Sequence, residues 1–182
     1  MSTAEYDDLP QQWARAWPDL PTEGLPIVAR VMTLALRIDQ FHVTCLDGSG
    51  LTHPEYAALS ILRMQERYEL TPVELSKVLH QTTAGTSKTI DRLVRKSLVV
   101  RKPDPRSKRQ TLVCLTASGI DTAEEAGRAE AEGRRLLMEQ IADPDSVTKC
   151  LDVLLDALQG IQLPTIRDRN SDESPLLPTE SA

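Results

Sequence analysis

The stretch KTIDRLVRKSLVVRKPDPRSKRQ, residues 88–110, decides how this chain is read. Between Lys88 and Arg109 it carries nine Lys or Arg: Lys88, Arg92, Arg95, Lys96, Arg101, Lys102, Arg106, Lys108 and Arg109. Only Asp91 and Asp104 oppose them, a local charge of +7 in a protein of formal net charge −6. The other 160 residues hold 12 basic and 25 acidic side chains. Such an inversion concentrates positive potential on one small surface, which a phosphate backbone rewards. A charge run alone is equally the mark of a solvated helix and a basic loop. Context separates the two readings: a capped helix pair precedes the run and a strand–turn–strand lies within it.

Just upstream, TPVELSKVLH (71–80) has a helix start, with Thr71 as N-cap, Pro72 at the first helical position and Glu74 completing a capping box. Val73, Leu75, Val78 and Leu79 are expected to point inward. After a break at His80–Thr82, a second helix begins near Thr83, burying Ile90, Leu93 and Val94 with Leu98 just past its end. Its other side shows Thr83, Thr86, Ser87, Lys88, Arg92 and Arg95. SLVVRK (97–102) and QTLVCLT (110–116) then read as two strands around a polar, proline-bearing connection of seven residues, a protruding hairpin.

Further out, Ile27, Val31, Leu34, Ile38, Phe41 and Cys45 recur at steps of 4, 3, 4, 3 and 4, an apolar seam on a helix of about 26–46. A helix from Thr52 to about Tyr68 buries Tyr56, Leu59, Ile61 and Leu62. Another runs from Thr116 to about Ile141, and Asp143–Pro144 caps a last one whose seam is Val147, Leu151, Leu154, Leu158 and Ile161. QQWARAW (11–17) forms a short helix ahead of Pro18 and Pro21. The expected organisation is an N-terminal extension (1–25), a dimerisation helix (26–50), a DNA-binding domain (51–119), C-terminal dimerisation helices (120–161) and a disordered tail (162–182).

Composition bounds the rest. Six aromatic residues in 182 leave the core to Leu, Ile, Val and Ala, favouring packed helices. No apolar run approaches the ~20 residues of a membrane span, and the acidic start MSTAEYDDLPQQW is not a secretory signal. Cys45, Cys114 and Cys150 form an odd set without CxxC spacing, so a reduced, cytoplasmic protein is expected.

Helix, turn, helix and hairpin in that order describe a winged helix-turn-helix, mainly α with a small β wing, whose second helix enters the major groove of duplex DNA. Thr83, Thr86 and Ser87 are short enough to let the backbone approach and carry hydroxyls for bases or phosphates. Lys88, Arg92 and Arg95 suit phosphates, as do Lys108 and Arg109 on the wing. Arg106, at the wing tip, suits a narrow minor groove. Asp104 is expected to structure the wing by orienting Arg106 or Arg109.

Residues from about Leu51 to Gly119 resemble the multiple-antibiotic-resistance regulator (MarR) family of transcription factors. LTPVELSKVL, TTAGTSKTIDRLVRKSLVVR and DPRSKRQTLVCLTASG carry the resemblance. The family's wing pattern, Asp-x-Arg, further basic residues, then a strand ending Leu-Thr-x-x-Gly, stands here as Asp104, Arg106, Arg109, Leu115, Thr116 and Gly119. One departure is Ser97, where the family usually has glycine; positive φ is expected there. The resemblance implies a homodimer interlocked through N- and C-terminal helices. Such a dimer acts as a regulator, usually a repressor, on a pseudo-palindromic site and is released by a small aromatic or anionic effector. The two seams, at opposite ends of the chain, independently favour the homodimer.

QQWARAWPDL is similar to the N-terminal segment of the family's urate-responsive branch, which implies Trp13 and Arg101 as effector contacts. The acid and the arginine that the branch also uses align with Ala57 and Thr89, which points to a planar anion other than urate. Trp13 and Trp17 read equally well as a helix that clamps the dimer. Two alternatives stand beside this: an effector-independent DNA-binding protein, and a redox-sensing regulator using Cys45, with Cys114 and Cys150 read as core. No metal is expected, because His42, His53 and His80 lack paired spacing. No cofactor or enzymatic activity is expected either, since phosphate loop, nucleophile elbow, HExxH and triad are all missing.

Overall fold

A computed structural model describes residues 3–105 and 107–161, the side chains of 3–5, 108 and 109 excepted. Arg106, the side chains of Lys108 and Arg109, and the tail expected at 162–182 lie outside what is described. The chain forms two compact units, 1–137 and the remainder from Met138. Its elements run α1 (Thr3–Ala16), α2 (Leu25–Cys45), α3 (His53–Arg63), β1 (Glu69–Leu70), α4 (Pro72–Val78), α5 (Thr83–Arg95), β2 (Val99–Asp104), β3 (Ser107–Leu115), α6 (Ala117–Glu139) and α7 (Pro144–Gly160).

In the first unit, Leu59 and Leu62 of α3, Leu75 of α4, Ile90 and Leu93 of α5, and Val99 and Val113 of the sheet are fully buried in one cluster. Ala123 and Ala126 of α6 close it. The segment Leu-Thr-x-x-Gly builds the joint between wing and α6. The Thr116 hydroxyl lies 2.9 Å from the Ser97 carbonyl and 3.1 Å from that of Leu98, and it accepts from the Gly119 amide at 2.9 Å. Any Cβ at Gly119 would collide with the Leu98 carbonyl, so only glycine lets α6 start there. Ser97 has φ 60, the left-handed conformation its position called for.

Several expectations need correction. The expected hairpin wing is present as β2 and β3, and a third strand joins it: the antiparallel sheet has the order β1-β3-β2, and β1 is two residues long, too short to show alternation in sequence. Seven residues do not protrude between the strands. Pairing continues through Lys102↔Leu112 and Pro103↔Thr111, then shifts register to Asp104↔Ser107. Pro103 is tolerated because β2 is an edge strand. α3 stops at Arg63 rather than Tyr68; Met64 is its C-cap, and Tyr68, at φ 57, lies in the turn that follows. α1 is longer than QQWARAW and takes Pro10 within it. Val73, Val78 and Val94 are 54%, 52% and 38% exposed instead of buried. α4 has only seven residues, and it turns Leu75 and Ser76 inward.

Neither α2 nor α7 contains a buried residue. On α2 the seam residues Ile27, Val31 and Leu34 are 52%, 39% and 47% exposed. α7 is capped by Asp143, which accepts from the Ser146 amide at 3.1 Å, and its Val147, Leu151 and Leu158 are exposed too. Among the described residues no helix is long and apolar enough to cross a membrane.

Candidate nucleic-acid interface

The helix pair is set by its caps. The Thr71 hydroxyl accepts from the Glu74 amide at 3.2 Å while Glu74 accepts from the Thr71 amide at 2.9 Å, fixing the start of α4. His80, at φ 50, turns the chain, and the Gln81 amide donates to the Ser76 carbonyl. Thr82 then caps α5 through the Gly85 amide at 3.1 Å. Thr82 and Thr83, both short and exposed, leave the first turn of α5 open to a partner.

α5 buries Thr86, Thr89, Ile90 and Leu93, at spacings of 3, 1 and 3. This inward stripe corrects the expectation for Thr86. That side chain is fully buried and its hydroxyl has no hydrogen-bond partner, so it faces the core rather than a base. Sequence reading placed it outward because threonine is polar; the helical phase overrules that. Thr83 and Lys88 are exposed and Ser87 half-buried, as a contact face requires.

The basic side chains divide into two groups. Arg92 donates from Nε to Glu55 at 3.1 Å, and from its terminal nitrogen to the Thr89 hydroxyl at 3.2 Å. Lys96 donates to the same carboxylate at 2.8 Å and to the Gly50 carbonyl at 2.7 Å. Arg101, on the first wing strand, pairs with Asp91 at 2.6 Å, tying wing to helix. These three cations are committed within the protein. Lys88 is exposed, and Arg95 makes only a long 3.4 Å contact to the Asp91 carbonyl.

Glu55 is the residue that sequence reading missed. It is fully buried, and its capping-box position after Thr52 was the available signal. Burial alone would raise its carboxyl, but hydrogen bonds from Lys96 and Thr52 hold it below the ordinary value. Asp104 is 4% exposed within the hairpin.

Trp13 and Arg101 are not joined. Trp13 packs on Trp17 with ring centroids 4.5 Å apart, and its buried indole N–H has no partner, whereas Arg101 is held by Asp91. Of the cysteines, Cys150 is exposed rather than core. Burial and the Glu130 carboxylate push the Cys45 thiol up, against the pull of Arg134, the reverse of sensor activation. Burial and Glu69 push Cys114 up as well. No group of three or more His, Cys, Asp or Glu among the described residues is arranged to hold a metal.

Comparison with known proteins places this geometry. Residues 49–110 match the family model described as MarR family. The multiple antibiotic resistance protein MarR of Escherichia coli is 32% identical over 107 residues, covering 59% of this chain and 73% of the relative. The structure of a mutant MarR from the same species complexed with operator DNA superposes with a TM-score of 0.65 at 28% identity, covering 77% of this chain and 98% of that one. A MarR family transcriptional regulator of Streptomyces coelicolor, in complex with DNA, shares the fold at TM-score 0.70 and 21% identity, covering 79% and 91%.

Proposed function

Since the chain belongs to the MarR family, we propose that it regulates transcription by binding a pseudo-palindromic operator in duplex DNA as a homodimer, most simply as a repressor. The observation that carries this is the outward face of α5, where Thr83, Ser87, Lys88 and Arg95 stand beyond a capped turn, beside a basic wing. That arrangement suits a recognition helix in the major groove, with phosphates held by Lys88 and Arg95 and by Lys108 and Arg109 of the wing. Arg106 is proposed for the minor groove.

The homodimer is supported by α2, 21 residues long with an apolar seam and no buried side chain. Burying such a surface against a second copy removes an exposed apolar patch that a monomer would leave in water. Two-fold symmetry then sets two recognition helices about 10 bp apart.

Release by a small aromatic or anionic effector completes the reading. Its support here is the Trp13 indole, a buried donor that an acceptor on a planar ligand would satisfy. Arg101 would have to leave Asp91 to share that ligand. The urate-like branch and the cysteine alternative find no further support in the geometry.

The test is a salt titration of binding to DNA from the gene's own upstream region, with Arg106→Ala alongside. Steep salt dependence, saturation at one dimer per site and weakened binding of the variant are expected. No binding at low salt would overturn the reading.

A further inference from the structure

The carboxylate of Glu55 takes up Arg92 of the helix proposed to lie on DNA and Lys96, the residue that caps its C-terminus. It stands at the third position of α3, fully buried, 3.1 Å from Arg92 Nε and 2.8 Å from Lys96 Nζ. Its second role is local: the Thr52 amide donates to it at 2.8 Å, closing the capping box. Both cations remain 38% exposed and line one surface depression with Arg95, while their charge is partly cancelled by Glu55. An internal carboxylate here competes directly with an external phosphate for the same donors, since both are oxyanions seeking charge-assisted hydrogen bonds.

We propose that Glu55 is a specificity-determining residue. It withholds Arg92 and Lys96 from phosphate, limiting sequence-independent affinity, and it fixes the seat of α5 on α3 so that Lys88 and Arg95 do the phosphate work. The proposal rests on the DNA-binding reading above.

Glu55→Gln tests it. Glutamine retains the capping-box acceptor but not the charge that binds two cations. Each phosphate neutralised steepens the log K against log salt slope by about 0.9. With random duplex DNA the variant's slope should steepen by roughly 0.9 to 1.8 relative to wild type, for one or two cations released. The ratio of operator to random affinity should fall severalfold, while Arg92→Gln in the wild-type background leaves the slope unchanged. A melting temperature recorded for each variant confirms that it is folded. A Glu55→Gln protein that melts lower but keeps the wild-type slope and ratio would reduce Glu55 to a structural residue and overturn the proposal. A shallower slope for Arg92→Gln would overturn it too, by placing Arg92 on phosphate already. Wild-type protein that binds no DNA at low salt would instead remove the regulator reading itself.

Discussion

His42 and His53 stack face to face, their rings 2° from parallel with centroids 3.8 Å apart. The pair joins α2, which carries the exposed apolar seam, to the first turn of α3, which begins the DNA-binding domain. Beneath it lies Glu130 of α6, fully buried, with its two oxygens 3.0 and 3.1 Å from His42 Nδ1. Arg134, at 3.6 Å, is the carboxylate's other partner.

Stability should depend on pH through His53. Burial, and then the neighbouring His42, lower its pKa from the ordinary value of 6.5, only partly offset by Glu130 and Asp39. The unfolded chain therefore takes up this proton more readily than the folded one. Stability present above the ordinary value is lost as pH falls through it towards the lowered folded value. The melting temperature of wild type should drop more between pH 7.5 and 5.5 than that of His53→Gln. Parallel curves for the two proteins would contradict this.

Ser97→Gly should stabilise the protein by up to ~1 kcal/mol, because glycine accepts positive φ without the Cβ strain that serine bears. Ser97 is exposed, so no buried contact is lost. Thermal denaturation is the check; a lower melting temperature would count against it.

Gly119→Ala should act in the opposite sense. Its Cβ meets the Leu98 carbonyl, a backbone atom held in place by the Thr116 hydroxyl, so α6 must shift. A loss of about 1–3 kcal/mol is expected, the usual range for overpacking, measured by chemical denaturation.

Thr86→Val discriminates the observed phase of α5 from the one expected from polarity. Exchanging an unsatisfied buried hydroxyl for a methyl group should leave DNA affinity intact and raise stability by roughly 1 kcal/mol. A large loss of operator affinity in a well-folded variant would mean that Thr86 reaches the DNA.

Lys88→Ala and Arg95→Ala should each flatten the salt dependence of binding by about 0.9 in log–log slope. Weakening should be similar on operator and random DNA, the mark of a phosphate contact. A loss confined to the operator would reassign that residue to base recognition.

Much of this was legible in the chain. Thr71 with Glu74, Pro72 and the Asp143–Pro144 start announced their helices because a cap involves groups only three residues apart. The two strands of the hairpin were equally plain, as was the charge inversion. Ser97 showed its left-handed conformation through the glycine expected there. The two-residue β1 and the continued pairing of Pro103 and Asp104 were not visible, since a strand that short has no period and an edge proline mimics a loop.

What the sequence by itself determined, then, is the order of elements, their caps and the concentration of positive charge on one segment. These depend on neighbours along the chain. Only the tertiary structure decided which cations face outward, because a charged side chain's partner is set by how two helices are rotated against each other. Glu55 meets Arg92 and Lys96 across 37 and 41 residues, and His42 meets Glu130 across 88. No local pattern encodes those distances; the packing of α3, α5 and α6 around one apolar cluster does.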